Sequence, residues 1–339
     1  MKQILFITNY KPGTGGISGQ VEILRTKLCQ DGYVADIFST KGSILYRLGM
    51  MFRLLLVGRH YDVFHIHCCS GWGFLPAVVG VLAGHIQRKR IVLTYHGGGA
   101  GTFFSNHRRV VSFFLKRTDV NIVLSGFIGD IFDKCRLPYT IIPNIIEMAS
   151  SHYRERKVLS PKFICTRSLE PLYNHACILK AFQLVQNQLP EASLALVGGG
   201  SIQVELEKMV KDLRLNQVSF VGRVDNSEVY KFLDQADIML SAPHIDNMPV
   251  SILEGINAGL LVISSRVGGV PYMVEDHKSA LLFDDDDYHT LSKLMMEAVA
   301  NPVSTMLQIR NARSGLSKYT WEQVRPLLLK QYGDTELCR

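Results

Sequence analysis

The sequence predicts an α/β protein of two consecutive β/α domains, each built around a buried parallel sheet. Three observations carry this. Short apolar runs flanked by Gly, Pro or Asp recur along the chain: QILFIT, YVADIF, DVFHIH, RIVLTY, NIVLS and YTIIP in the first half, then KFICT, ASLALVG, QVSFVG, ADIMLS, LLVISS and ALLF in the second. Such near-continuous apolar runs suit strands covered on both faces. Helix-like stretches separate them, and 339 residues is comfortable for two domains rather than one.

The helices carry punctuation. The stretch from Gln20 to Cys29 sets Val21, Leu24 and Leu28 on one face and stops near Gly32. Pro249 stands where a first helical residue is expected, and Gly259 ends that helix. The polar stretch Glu147 to Lys162 marks the boundary. The expected organisation is a first domain over 1–146, a linker over 147–162, a second domain over 163–319, and a last helix in 320–339.

Composition narrows the class. Apolar residues make up 47%, enough for sizeable cores. The apolar run from Ile4 to Ile7 is too short for a signal peptide, and Arg47 and Arg53 interrupt the longest one, Ile44 to Val57. That segment is apolar all round and compatible with core. Seven cysteines at irregular spacing, without a C-x-x-C pair, suggest reduced thiols and a cytoplasmic protein. Residues 1–148 hold 17 Lys/Arg against 8 Asp/Glu, whereas residues 149–339 hold 20 against 22. A basic first half suits an anionic partner: a membrane surface, a phosphorylated substrate or nucleic acid. Nucleic acid is disfavoured because the basic segments lack interleaved aromatic platforms.

Several residues could carry chemistry. The first strand runs into NYKPGTGGISGQ and then a helix. Gly13, Gly15 and Gly16 let backbone approach a ligand at a helix N-terminus, where phosphate is favoured. A tight turn alone would also explain them, and the spacing is not that of the dinucleotide fingerprint. His96 ends the fourth strand in TYHGGG, at a carboxyl end where open α/β sheets bind ligands. In SAPHIDNMPVSILEGINAG, Asp246 precedes a helix that contains Glu254, about 8 Å along the axis from its start at Pro249. The helix N-terminus between them suits a diphosphate. Asp246 and Asn247 are also ordinary helix starters.

In order, GTGGIS, DVFHIH, TYHG, IVLS, IIPN, TRSLEPLYNHACILKAF, LALVGGG, FVGRV, DNMPVSILE, VGGVP and YTWEQV resemble the retaining family 4 glycosyltransferases over almost the full length. The resemblance implies a GT-B fold: two Rossmann-like domains facing across a cleft, with the last helix crossing back to the first. It implies glycosyl transfer with retention, without metal or cofactor, from a nucleotide-sugar donor, UDP- more than GDP-linked. The expected acceptor is a saccharide, lipid-linked, in bacterial surface polysaccharide synthesis at the cytoplasmic membrane face. Gly15 and Gly16 would face the donor phosphates, His96 would lie near the transferred sugar, Arg167 would neutralise the diphosphate, and Glu254 would hold the ribose. Asn144, Asp246, Asn247, Met248 and Pro249 would complete the donor site, with His96, Arg167 and Asp246 closest to the chemistry.

Two departures stand out. Asp246 occupies a position that is usually Glu in the family. Tyr173, Asn174 and His175 occupy the region of the usual second basic residue, with His175 a substitute phosphate partner. The acidic run Asp284–Asp287 resembles a metal-binding D-x-D but reads as a solvated loop. The segment NHRRVVSFFLKRT, read as a helix, groups Arg108, Arg109, Lys116 and Arg117 on one side, beside Phe103 and Phe104 expected at the surface. It suits either an ordinary surface helix or an anionic lipid contact. Two other readings are a GT-B sugar-nucleotide epimerase and a non-catalytic sugar-nucleotide-binding partner in a polysaccharide assembly complex.

Overall fold

The computed structural model describes residues 1–13, 15–42, 44–149 and 152–334. Thr14 of the Gly-rich loop, Ser150 and Ser151 of the expected linker, and residues 335–339 of the expected last segment lie outside the described residues, as do four side chains of the apolar run (44, 45, 47 and 48). Among the described residues, the strands form two six-stranded parallel sheets, and the chain divides into two compact units: Met1–Ile145 with the segment from Tyr319 onward, and Ile146–Lys318.

The first unit runs β1 (Gln3–Thr8), α1 (Ile17–Gln30), β2 (Val34–Ser39), α2 (Ile44–Gly58), β3 (Val63–Cys68), α3 (Leu75–Ile86), β4 (Arg90–Tyr95), α4 (Ala100–Asn106), α5 (Arg108–Leu115), β5 (Val120–Val123), α6 (Gly126–Lys134) and β6 (Thr140–Ile141). The sheet order is β2-β1-β3-β4-β5-β6. Strand parity assigns each residue to one of two cores. Leu5, Ile7, Phe64, Ile66, Leu93 and Tyr95 face one layer, shared with α2 and α3 through Leu54 and Val81. Ile4, Phe6, Val63 and Val92 face the other, against Val21 and Leu28 of α1.

The second unit runs β7 (Lys162–Cys165), α7 (His175–Gln186), β8 (Ser193–Val197), α8 (Gln203–Asp212), β9 (Val218–Gly222), α9 (Val229–Gln235), β10 (Ile238–Ser241), α10 (Val250–Asn257), β11 (Leu261–Ser265), β12 (Leu281–Phe283), α11 (Tyr288–Ala300) and α12 (Pro302–Ser314). Its order is β12-β11-β10-β7-β8-β9. The last helix, α13 (Trp321–Tyr332), returns to the first unit and buries Trp321, Val324, Leu328, Leu329 and Tyr332 in the α1-side core. Gly333 ends it in the left-handed conformation, φ 72°.

Local readings change in four places. Pro249 is not the first residue of α10 but the residue before it, with ψ 113°. The expected helix over 106–118 breaks at His107, and Lys116 and Arg117 lie past the end of α5. Helix α2 is not all core: Met50 and Leu54 are buried, whereas Phe52, Leu56 and Val57 are exposed. The stretch expected as a linker packs on the second unit. Arg156, 5% exposed, donates to the carbonyls of Leu233, Ala236 and Ala258 at the ends of α9 and α10, and to Asp237 Oδ1 at 3.2 Å. Helix C-termini leave carbonyls without internal partners, and a buried guanidinium satisfies them. His152 stacks on Tyr230 with ring centres 3.7 Å apart.

Candidate active site

Open parallel sheets bind ligands at strand carboxyl ends, where the strand order reverses. In the second unit that place lies between β7 and β10, neighbours in the sheet but far apart in sequence. Arg167 follows β7, and Asp246 follows β10. The Arg167 guanidinium pairs through Nη2 with Asp246 Oδ2 and donates from Nη1 to Ser251 Oγ at 3.3 Å. Its Cζ lies 4.1 Å from the ring centre of Tyr173. Burial opposes the charge on Arg167, yet the Asp246 carboxylate and other neighbours outweigh that and raise its pKa.

Glycine makes this packing possible. A Cβ on Gly268, φ 51°, would collide with the Asp246 carbonyl oxygen, and the adjacent Gly269 N–H donates to that oxygen at 2.9 Å. The VGGVP turn is thereby pressed against the Asp246 loop. Asp246 Oδ1 also accepts from the Asn247 N–H at 2.8 Å. Asn247, Met248 and Pro249 are buried, which leaves Arg167, Asp246 and Glu254 as the expected residues of the second unit with partly accessible side chains. Glu254 lies in α10; burial pushes its carboxyl up to about 7, against the pull of Arg167.

His175 departs from expectation. It is fully buried at the start of α7, its Nε2 lies 3.6 Å from Cys165 Sγ, and burial pushes its pKa down to about 4. A neutral core imidazole is not a charge partner for phosphate. Tyr173 instead lies against Arg167, and Asn174 caps α7 and donates to Asp286 Oδ1 at 3.0 Å. The acidic run is dispersed: Asp285 pairs with His244, and Asp287 caps α11 through the Thr290 N–H at 2.9 Å.

In the first unit the order reverses between β1 and β3. The Gly-rich loop follows β1, and Gly16, φ 65°, immediately precedes α1. Gly15 lies in the same loop. His96 follows β4; its backbone N–H donates to the Cys68 carbonyl at 2.9 Å, and its Nε2 lies 2.8 Å from His67 Nδ1. Burial pushes the His96 pKa down to about 3. A cavity of about 20 Å³ is lined by His96, His67, His65, Gln20 and Asn144. Arg108, Arg109, Lys116 and Arg117 are all exposed. Phe104, expected at the surface, is core at 2% exposure, and Phe103 is half-buried. The exposed apolar residues among the cations are Val110 and Phe113, the latter covered by Arg117 at 3.6 Å.

The family model for glycosyl transferases group 1 matches residues 153–315, and that for glycosyltransferase family 4 matches residues 20–150. The chain belongs to the family 4 glycosyltransferases. The fold of this family 4 member is similar to that of Anabaena HepE in complex with UDP and glucose, with a TM-score of 0.80 at 16% identity over 98% of this chain and 100% of that one. It is 25% identical over 48% of its length to a GDP-mannose-dependent monoacylated alpha-(1-6)-phosphatidylinositol monomannoside mannosyltransferase of Corynebacterium glutamicum. It is 26% identical over 35% of its length to the amylovoran biosynthesis glycosyltransferase AmsK of Erwinia amylovora. The matching stretches span 44% and 31% of those two relatives, less than half of each.

The family 4 assignment leaves three contacts that sequence reasoning missed: Ser251 and Tyr173 on Arg167, and His67 on His96. Ser251 stands two residues after Pro249, a helix-start signal. His65 and His67 alternate with Phe64 and Ile66 in a strand, which places both on one face.

Proposed function

We propose that this protein transfers a sugar, with retention, from a UDP-linked donor to a saccharide acceptor. The observation that carries this is the Arg167–Asp246–Ser251 cluster at the strand-order reversal of the second unit, beside α10 with Glu254. Arg167 and the α10 N-terminus meet the diphosphate, Glu254 accepts from the ribose hydroxyls, and Asp246 meets the sugar. His96 contacts the transferred sugar. Catalysis consists of positioning and of stabilising charge on the leaving diphosphate, whose oxygen helps take the acceptor proton. The transfer needs no metal. The UDP-bound neighbour supports the base, and the amylovoran relative supports a surface polysaccharide as the product.

A thermal-shift screen of sugar nucleotides tests this, because a bound donor raises stability by mass action. Glu254 supplies the control. With its pKa near 7, the carboxylate that accepts ribose hydroxyls is only partly present at pH 6 and largely present at pH 8. UDP affinity should therefore rise more steeply over that range in the wild type than in Glu254→Gln, where only the terminal phosphate of UDP titrates. At pH 8 the variant should bind UDP about 10- to 160-fold more weakly, matching about 1.5–3 kcal/mol for a charged hydrogen bond. Stability runs the other way. A carboxyl whose folded pKa is raised favours folding below its unfolded pKa and loses that contribution as pH rises through about 7. Ligand-free Glu254→Gln should then melt higher than the wild type at pH 8. Equal UDP affinity in the two proteins at pH 8 removes Glu254 from the site.

The acceptor is lipid-linked and met at the membrane surface. No helix among the described residues is long and apolar enough to cross a membrane. The exposed cations of the α5 region flank exposed Val110 and Phe113, a combination that suits anionic lipid. Binding to vesicles containing phosphatidylglycerol should fall with salt and weaken strongly when Arg108, Arg109 and Lys116 are replaced by Ser. Salt-independent binding, or none, points to a soluble acceptor.

A further inference from the structure

Parity along β3 and β4 sends His65, His67 and Thr94 to the α1-side face of the first sheet, where α13 also packs. His65 is held at both nitrogens, by Tyr332 Oη and Thr94 Oγ1, each at 2.8 Å. His67 is held differently. Its Nδ1 lies 2.8 Å from His96 Nε2, the two rings are 27° from parallel, and its Nε2 is buried with no hydrogen-bond partner among the described residues. The side chain is 1% exposed and is wedged against Phe6 and His65, with ring centres 5.6 and 4.2 Å away.

We propose that His67 is a positioning residue for His96: it donates from Nδ1 to His96 Nε2 and so holds His96 as the tautomer with its proton on Nδ1. The assignment of the transfer step to His96 rests on the function proposed above; the hydrogen bond does not. Both rings are neutral, because burial pushes the His67 pKa well below its usual value and that of His96 to about 3. Two neutral imidazoles that share a bond supply one donor and one acceptor. If His67 accepted, its proton would sit on Nε2 as a buried N–H with no acceptor among the described residues. If it donates, Nε2 is only an unused lone pair. Orphaned buried N–H groups are the rarer of the two. Which nitrogen of His96 carries the proton is set by the bond that the other one makes. His96 therefore carries its proton on Nδ1, at the carboxyl end of β4.

The test is imidazole nitrogen NMR on histidine-labelled full-length protein, with His96 assigned through His96→Gln, alongside single-turnover transfer from the donor found in the thermal-shift screen. His67→Asn places an amide nitrogen near Nδ1 and should keep the His96 tautomer and most of the rate. His67→Gln places its amide nearer Nε2; it should release the tautomer and lower turnover about tenfold with little change in KM. Both variants bury a similar amide, so a purely structural role would not separate them, and their melting temperatures show that both are folded. A proton on His96 Nε2 in the wild type, or a tautomer unchanged in His67→Gln, overturns the proposal. A released tautomer with an unchanged rate upholds it and removes His96 from the transfer step instead.

Discussion

Arg167→Lys should lose at least about tenfold in single-turnover rate at saturating donor, equivalent to about 1.4 kcal/mol of barrier, although the charge is kept. The guanidinium meets Asp246 with one nitrogen and Ser251 with another while its Cζ lies over the Tyr173 ring. An ammonium is a point charge that can neither fork nor stack. A leaving diphosphate gains negative charge as the glycosidic bond breaks, and a fork can take two of its oxygens. His175 cannot share this load, because it is neutral in the core. The loss should therefore appear in the chemical step, with donor affinity changing less. An unchanged rate in Arg167→Lys places the phosphate site elsewhere.

Arg156→Met should destabilise the second unit by about 3–5 kcal/mol, the range for breaking a buried ion pair by removing one partner. The Arg156 side chain is 1% exposed, and burial pushes its pKa down to about 10, which still leaves it charged at neutral pH. Methionine fills a similar volume but leaves the carbonyls of Leu233, Ala236 and Ala258 without this donor, each loss costing about 1–3 kcal/mol when no water enters. Asp237 keeps Arg154 and the Ser160 N–H, which limits the total. Arg154→Met is the comparison. Its side chain is 40% exposed, and such pairs contribute about 0–1 kcal/mol. Both tryptophans, Trp72 and Trp321, lie in the first unit, so urea unfolding should be followed by far-UV circular dichroism. Equal midpoints for the two variants show that burial of Arg156 contributes nothing beyond an exposed pair.

The strands and several residues of the candidate site could be read directly, because each rests on local physics. A strand covered on both faces must be apolar throughout, so QILFIT, RIVLTY and LLVISS announced β1, β4 and β11. A strand end before His96 and a Pro-led helix start likewise marked His96, Asp246 and Glu254 one by one, whereas Arg167 entered through the family resemblance. The contact of Arg167 with Asp246 was not readable. Arg167 and Asp246 are 79 residues apart, and only the β7–β10 neighbourship in the sheet brings them together. The same limit hid the fates of His175 and Arg156. Sequence presented a polar histidine at a helix start and a charged segment between domains, and exposure was the ordinary inference for both. Burial depends on what packs from elsewhere in the chain: the α7 face turning into the second core, and the carbonyl ends of α9 and α10 converging on one guanidinium. Periodicity and turn chemistry are written residue by residue along the chain. Which charge meets which partner, and whether water reaches it, is decided only when distant segments share a surface.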